Sequence, residues 1–395
     1  MSFEKPYEGI RVVDLSQGVA GPYCAMLLAQ YGAEVIKVEP PEGDWARLLG
    51  TPKGDHTAFS YLPNMGKRSI AVDLKSEAGH AIVDRLVADA DVFLEGFRPG
   101  VVDRLGFGYP RLSELNPGLL YLSVSGFGQS GPMRDKPAMD PVLQAFTGFM
   151  IDNKGHDGIP HRTPTIINDM STSLYAFQAV SAALYARRDD PRGRHFDINL
   201  MQGAANLQAI RLGIAYVEGM ELKPRTAPSG IFHTADGWLQ LVILRDKEFH
   251  SLCDMLGLDE LRDDPRFVGI EARLAHADFL IERVAAVLIT RPSAEWRDMF
   301  TEAGLQNEVL QDYHQFVEHP HTEASGLISW LHQDGLERPW PVPNPPGIAP
   351  LETGTPLATS PRTGQHGREI LAELGYDDGE IDGLLADGTV TLERR

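Results

Sequence analysis

The chain has 395 residues, of which 43% are hydrophobic and 23% are charged, and it contains only two cysteines. This composition is ordinary for a globular protein of two or three domains, and two distant thiols give no disulfide framework. The formal net charge of -19 argues against a nucleic-acid partner, because phosphate binding needs basic surface. No apolar run approaches the length of a membrane span, and the first residues lack the basic and then apolar pattern that is typical of a secretory signal. We therefore expect a cytoplasmic protein with no membrane partner.

The first part of the chain alternates between strand and helix patterns. Short apolar runs predict strands over residues 11–15, 34–38, 91–95 and 119–124. Pro22 and Gly32 bracket a predicted helix, and residues 76–88 carry apolar positions at helical spacing. Strands separated by helices pair in parallel through crossovers, so we expect an α/β fold with a parallel sheet.

A long helix is predicted over residues 170–187, directly after Asp169. On local sequence alone Asp169 is an N-cap, because aspartate is among the preferred capping residues. A carboxylate at a helix N-terminus also interacts with the positive end of the helix dipole, so we expect Asp169 to be ionised at neutral pH. An ionised carboxylate is able to act as a nucleophile.

Changes in composition suggest where the domains begin and end. A strand pattern over residues 195–200 precedes a Pro- and Gly-containing linker at residues 223–230. We therefore predict a large domain over residues 1–220 and a small domain over residues 225–325. Residues 330–395 are predicted to be a linker and a C-terminal tail.

Short motifs that occur in the same order through most of the chain carry a resemblance to a known superfamily. They occupy residues 9–15, 20–22, 32–39, 43–47, 67–75, 97–100, 105–107, 125–128, 169, 192–194 and 263–267. In these motifs the chain resembles class III CoA-transferases and α-methylacyl-CoA racemases, and formyl-CoA transferases in particular. The resemblance implies a large Rossmann-like domain with a parallel sheet, a smaller α/β domain and a tail that returns to the large domain. It also implies an interlocked homodimer.

The resemblance implies that Asp169 is the catalytic nucleophile of a CoA-transferase. A mixed anhydride and an aspartyl-CoA thioester are its implied intermediates, and an acyl-CoA and a carboxylic acid are its implied substrates. CoA contacts are implied for Ala20, Lys75, Phe97 and Arg104. Arg47 ends a Gly-Asp-x-x-Arg motif and either binds a substrate carboxylate or holds its loop, while Arg98 and Lys136 are further candidates. We expect no permanently bound cofactor and no metal site, and we interpret the close pair His319 and His321 as structural.

Two positions depart from the formyl-CoA transferase pattern. Val19 stands where those enzymes carry a glutamine that helps to hold the small acid, and Met139 stands where they carry a tyrosine. These departures argue against oxalate and formate. They favour a larger acid, such as a dicarboxylate of four or five carbons.

Two alternative functions remain open at this point. A racemase needs two groups that exchange protons, and related racemases pair the aspartate with a histidine. Met139 occupies the position of that histidine, and a thioether cannot exchange protons, so His156 and His161 are the remaining alternatives for a second base. The other alternative is a non-catalytic CoA-binding protein, against which the presence of Asp169 argues.

Overall fold

The computed structural model describes residues 5–155, 157–221 and 223–393. The chain forms two compact units. The larger unit comprises Met1–Val217 together with Glu323–Arg395, and the smaller unit comprises Glu218–Thr322. The C-terminal segment therefore belongs to the same unit as the N-terminal half of the chain.

Strands are found in three sheets of the described residues. In chain order they are β1 (Arg11–Asp14), β2 (Glu34–Glu39), β3 (Arg68–Val72), β4 (Val92–Glu95), β5 (Leu120–Ser125), β6 (Arg194–Asn199), β7 (Gly230–His233), β8 (Trp238–Val242), β9 (Gln306–Val309), β10 (Ile328–Leu331), β11 (Trp340–Pro343) and β12 (Val390–Thr391).

The large unit is built on a seven-stranded sheet in the order β12-β3-β2-β1-β4-β5-β6. Strands β1 to β6 pair in parallel, which confirms the prediction of a parallel α/β sheet. Only β12, from the C-terminal tail, pairs antiparallel, against β3. The fold is therefore mixed α/β with a mostly parallel sheet.

Helices connect the strands in both units. In chain order they are α1 (Ala20–Gln30), α2 (Ala58–Tyr61), α3 (Glu77–Ala88), α4 (Val101–Arg104), α5 (Tyr109–Leu115), α6 (Asp140–Phe146), α7 (Phe149–Asp152), α8 (Ile167–Ala186), α9 (Leu200–Leu207), α10 (Ala209–Glu218), α11 (Asp246–Leu256), α12 (Asp259–Arg262), α13 (Ile270–Ala275), α14 (Ala277–Leu288), α15 (Ser293–Glu302), α16 (Tyr313–Val317), α17 (Pro320–Ala324), α18 (Gly367–Glu373) and α19 (Asp378–Ala386).

Both faces of the large sheet are buried, because alternate residues of each strand point to opposite sides. Val13, Phe93 and Tyr121 pack with α3, α4 and the tail helices α18 and α19 on one face. The neighbouring strand residues Val12 and Val92 pack with α1 and α8 on the other face. Parallel strands covered on both sides explain why the sequence shows continuous apolar runs rather than alternation.

The smaller unit has its own core. Strands β7, β8 and β9 form an antiparallel sheet, and an apolar cluster joins it to α11, α14 and α15. In the tail of the larger unit, β10 and β11 form an antiparallel pair. Within the part of the chain that the structure describes, no helix combines the length and the apolar character that a membrane span requires.

Candidate active site

Asp169 lies in the first turn of α8, as its third residue. The helix begins at Ile167, and Ile166 occupies the N-cap position without any side-chain hydrogen bond. The prediction that Asp169 is the N-cap is therefore wrong, because the helix begins three residues earlier than the sequence pattern indicates. Asp169 instead projects from a regular helical turn.

Asp140 supplies the cap that α8 lacks. It is the first residue of α6 and is only 2% exposed. One oxygen of its carboxylate accepts the backbone N–H of Asn168 at 2.6 Å and that of Asp169 at 3.3 Å. The other oxygen accepts the side-chain amide of Gln144 at 2.6 Å. A carboxylate from another helix thus satisfies N–H groups at the start of α8 that would otherwise have no partner.

Two acidic side chains consequently lie close together at the start of α8. Burial and the neighbouring Asp140 carboxylate raise the pKa of Asp169 to about 7. The helix N-terminus therefore does not lower the pKa of Asp169 below its usual range, because the N–H groups bind Asp140 instead.

The connections that follow β1 and β4 meet at the carboxyl edge of the sheet. These strands are neighbours, but α1 packs on one face of the sheet and α4 on the other. Such a divergence is the switch point at which open α/β sheets bind ligands. At this point Gly96 packs against the β1–α1 connection, where an added Cβ would lie 3.2 Å from the Cβ of Ser16.

Buried ionic pairs hold the β1–α1 connection by its backbone. The Lys37 ammonium donates to the carbonyl oxygen of Ser16 at 2.6 Å and pairs with Asp44 at 2.9 Å. Asp44 also accepts the backbone N–H of Gly18 at 3.0 Å. Lys37 and Asp44 were not predicted as site residues, although a lysine inside the apolar run 34–38 indicates a buried ion pair.

Arg47 is buried and its donors are occupied by protein acceptors. Its guanidinium makes a bidentate pair with Glu39, at 2.7 and 2.8 Å. It also donates to the Asp55 carboxylate at 2.9 Å and to the carbonyl oxygen of Pro361 at 3.1 Å. Of the two roles expected for Arg47, this arrangement favours holding the loop over binding a substrate carboxylate.

The other residues expected to contact CoA all follow the carboxyl ends of β1, β3 or β4, so the parallel sheet brings them to one edge. Ala20 is the first residue of α1 and is buried. Phe97 is half-buried after β4, and the exposed residues are Lys75, Arg98 and Arg104. Helix α1 packs against α8, which carries Asp169. CoA contact by these residues stays a prediction.

The structure also places the two residues that depart from the formyl-CoA transferase pattern and the two histidines considered as a second base. Val19 is the buried residue before α1, whereas Met139, before α6, is 51% exposed. His161 is exposed, with its Nε2 3.8 Å from Asp157, and His156 lies outside the described residues. The exposed Lys136 lines an open cavity beside α6.

The candidate site contains no metal-binding cluster in the described ranges: no group of three or more His, Cys, Asp or Glu residues is arranged to hold an ion there. His319 is half-buried and His321 is exposed, and the Nδ1 atom of His319 accepts the backbone N–H of His321 at 3.1 Å. His319 thus satisfies an N–H group in the first turn of α17.

The sheet, its switch-point crevice and the acidic pair at α8 define an α/β enzyme with a carboxylate in its candidate active site. Residues 7–367 match the family model described as CoA-transferase family III, and the chain belongs to that family. The protein therefore moves CoA from an acyl-CoA to a carboxylic acid, which is the reaction that its relatives are named for.

Two relatives are similar over almost their full length. The acetyl-CoA:oxalate CoA-transferase of Acetobacter aceti is 35% identical, over 95% of this chain and 97% of the relative. The succinate–glutarate CoA-transferase of Agrobacterium fabrum is 34% identical, over 93% of this chain and 96% of the relative. Among solved structures, a CaiB/BaiF family protein from Brucella suis is 29% identical with a TM-score of 0.81, covering 94% of this chain and 99% of that one.

Proposed function

We propose that Asp169 is the nucleophile of this CoA-transferase. Its carboxylate attacks the thioester carbonyl of the donor, the C–S bond breaks, and a mixed anhydride and a CoA thiolate form. The thiolate attacks the aspartyl carbonyl and releases the donor acid, which leaves an aspartyl-CoA thioester. The acceptor carboxylate displaces the thiolate to give a second anhydride. The thiolate then attacks the acceptor carbonyl, which yields the new acyl-CoA and regenerates Asp169.

The observation that carries this proposal is the position of Asp169 beside Asp140. Burial and a second carboxylate disfavour the Asp169 anion, and each acyl intermediate on Asp169 is uncharged at that position. The backbone of the nucleophile is fixed at the same time, because Asp140 binds the N–H groups of the first turn. Nucleophilic catalysis needs a positioned group of this kind.

CoA is proposed to bind along the carboxyl edge of β1, β3 and β4. Lys75 and Arg104 are exposed cations at that edge, and cations of this kind form charge-assisted hydrogen bonds with phosphates. The half-buried Phe97 offers a flat apolar surface to adenine, and Ala20 lies next to Val19 at the start of α1. The acyl-CoA is a substrate here, and we propose no permanently bound cofactor.

We propose that the carboxylic acids are dicarboxylates of four or five carbons. Relatives of similar identity are named for succinate and glutarate in Agrobacterium fabrum and in Mus musculus. Val19 and Met139 replace the glutamine and tyrosine that the resemblance associates with smaller acids. The apolar character of these two side chains favours an acid with methylene groups between its carboxylates.

We further propose a Rossmann-like large domain and an interlocked homodimer in the cytoplasm. The strand order β3-β2-β1-β4-β5-β6 matches that of doubly wound nucleotide-binding sheets, which supports the Rossmann-like domain.

Helix α10 supports the homodimer. Its residues Ile210, Tyr216 and Val217 are each more than 80% exposed, and large exposed apolar patches mark interfaces. Cys24 and Cys253 are free, as expected in a reducing compartment. Two interlocked subunits cannot separate without unfolding, so we expect sedimentation measurements to show a dimer at every dilution. A folded monomer in reversible equilibrium with the dimer would exclude interlocking.

The nucleophile is tested with Asp169→Asn and a matched control. Wild type and variant are incubated with acetyl-CoA or succinyl-CoA and with oxalate, succinate or glutarate, and the CoA products are measured by mass spectrometry. We expect transfer and a hydroxylamine-sensitive CoA adduct on Asp169 in wild type, and neither in the variant. Asp189→Asn, an exposed aspartate just after the other end of α8, should retain full activity. Near-full activity in Asp169→Asn would exclude the mechanism.

A further inference from the structure

Polar side chains of β4, β5 and β6 form a row across the sheet, which begins where β4 ends and the β4–α4 connection starts. Glu95 is the last residue of β4 and is 1% exposed. Strand pairing places Ser123 of β5 beside Glu95, and it places Tyr121 of β5 beside His195 of β6. Because residues two apart in a strand point to the same side, these side chains share one face of the sheet.

The Glu95 carboxylate fixes the backbone that follows β4. One of its oxygens accepts the backbone N–H of Phe97 at 2.8 Å, and the neighbouring Ser123 hydroxyl lowers the pKa of the carboxyl group. Ser123 Oγ lies 2.9 Å from His195 Nε2. The tautomer of His195 decides which of these two groups donates. Glu95, Ser123 and His195 therefore follow one another across the sheet in a single polar row.

Aromatic contacts fix the outer end of this row. The ring of Tyr109 stacks on the His195 imidazole with centroids 5.0 Å apart. The ring of Tyr121 meets the same imidazole edge-on, also at 5.0 Å. The imidazole is thus held within hydrogen-bond distance of Ser123.

We propose that Glu95 is a positioning residue for acyl-CoA binding, which fixes Phe97 through its backbone N–H and is itself fixed by Ser123 and His195. This inference rests on the proposed function, because it takes Phe97 as a wall of the CoA site. The intervening Gly96 packs against Ser16 of the β1–α1 connection. Loss of the Glu95 hydrogen bonds therefore loosens both sides of the switch-point crevice.

The charge on Glu95 gives this role a pH dependence. Burial raises the pKa of Glu95 to about 7, and the Ser123 hydroxyl and the Phe97 N–H act in the opposite direction. The titratable groups that face the carboxylate are Asp103, Tyr121, His195 and Asp197. An ionised carboxylate accepts stronger hydrogen bonds than a protonated one. The Phe97 loop is therefore held more firmly above neutral pH than below it.

The experiment compares CoA binding in Glu95→Gln and Glu95→Leu by titration calorimetry with free CoA. Glutamine imitates the protonated carboxyl, so Glu95→Gln should bind CoA about threefold to fivefold more weakly than wild type at about pH 8, and equally at about pH 6. Leucine removes the acceptor of the Phe97 N–H and should weaken binding about tenfold or more at either pH. In transfer assays KM for acyl-CoA should rise by the same factors, while kcat changes little, because the chemistry at Asp169 is untouched.

Two further variants make the result interpretable. Glu114→Gln changes an exposed glutamate on α5 and should leave CoA affinity unchanged. Ser123→Ala interrupts the row without altering Glu95 and should weaken CoA binding about threefold.

If Glu95→Leu does not fold, Ser123→Ala and Glu95→Gln still test whether Glu95 positions Phe97. Wild-type affinity in both, at both pH values, overturns the role of Glu95 while transfer through Asp169 still stands. A wild-type protein that neither binds CoA nor transfers it overturns the proposed function itself.

Discussion

The Asp140 carboxylate accepts the backbone N–H of Asp169 at 3.3 Å and that of Asn168 at 2.6 Å, through one oxygen. The acid that holds the backbone of the proposed nucleophile is thus the same acid that disfavours its charge. The two effects are separable by substitution. An asparagine at position 140 still offers an oxygen to the N–H groups but carries no charge.

Asp140→Asn should make the enzyme active at lower pH. Asp169 must lose its proton to attack, so kcat/KM of the wild type should rise with pH through a midpoint at about pH 7. Removing the Asp140 charge lowers the pKa of Asp169, and the midpoint should fall by roughly one pH unit. Profiles of kcat/KM against pH measure both values. A wild-type midpoint at about pH 4, as for a free aspartate, would contradict the raised pKa of Asp169.

Asp169→Asn should stabilise the protein at alkaline pH. The pKa of Asp169 is higher in the folded chain than in the unfolded chain, so the folded state binds the proton more tightly. Stability is therefore lost as the pH rises from about 4 to about 7 and does not recover above that range. After allowance for screening at this partly exposed side chain, the variant should gain about 1–2 kcal/mol in unfolding free energy at about pH 8. Urea unfolding at about pH 4 should show no gain.

Much of the large sheet can be predicted from the sequence, because its strands are short apolar runs between helices. The strands predicted over residues 34–38 and 119–124 are confirmed by β2 and β5. The start of α8 could not be predicted, since its cap is a side chain 29 positions away. The pairing of β12 with β3 was also missed, because a two-residue strand has no recognisable pattern.

The candidate site was only partly visible in the sequence. Asp169 was found through motif resemblance, whereas the roles of Asp140 and Glu95 depend on contacts between distant segments. Lys37 and Glu95 did carry a signal, because charged residues inside or directly ending buried strands need partners. The identity of those partners follows only from the strand order.

Lys67→Met should destabilise the protein much more than an equivalent change at the surface. The Lys67 ammonium is fully buried and donates to Asp14, to the Pro22 carbonyl oxygen and to Asn64, each at 2.8 Å. Its removal leaves Asp14 buried without its main partner, at a cost of about 3–5 kcal/mol.

Arg111→Met is the matched control, because its pair with Asp84 is exposed to solvent. That change should cost less than about 1 kcal/mol. Urea unfolding of both variants provides the comparison. Equal losses in the two proteins would show that the buried pair contributes no more than a surface pair.

The protein should not exchange the α-proton of an acyl-CoA. Racemisation needs a second group that takes up and returns a proton opposite Asp169. Met139 is a thioether, and the carboxylate of Asp140 is occupied by N–H donors from α8 and by the Gln144 amide. A chiral 2-methylacyl-CoA incubated with enzyme in deuterium oxide should therefore gain no label at its α-carbon by mass spectrometry. Transfer of CoA to an added acid, measured in the same tube, is the positive control. Deuterium incorporation that is lost in Asp169→Asn would assign a racemase activity to this site.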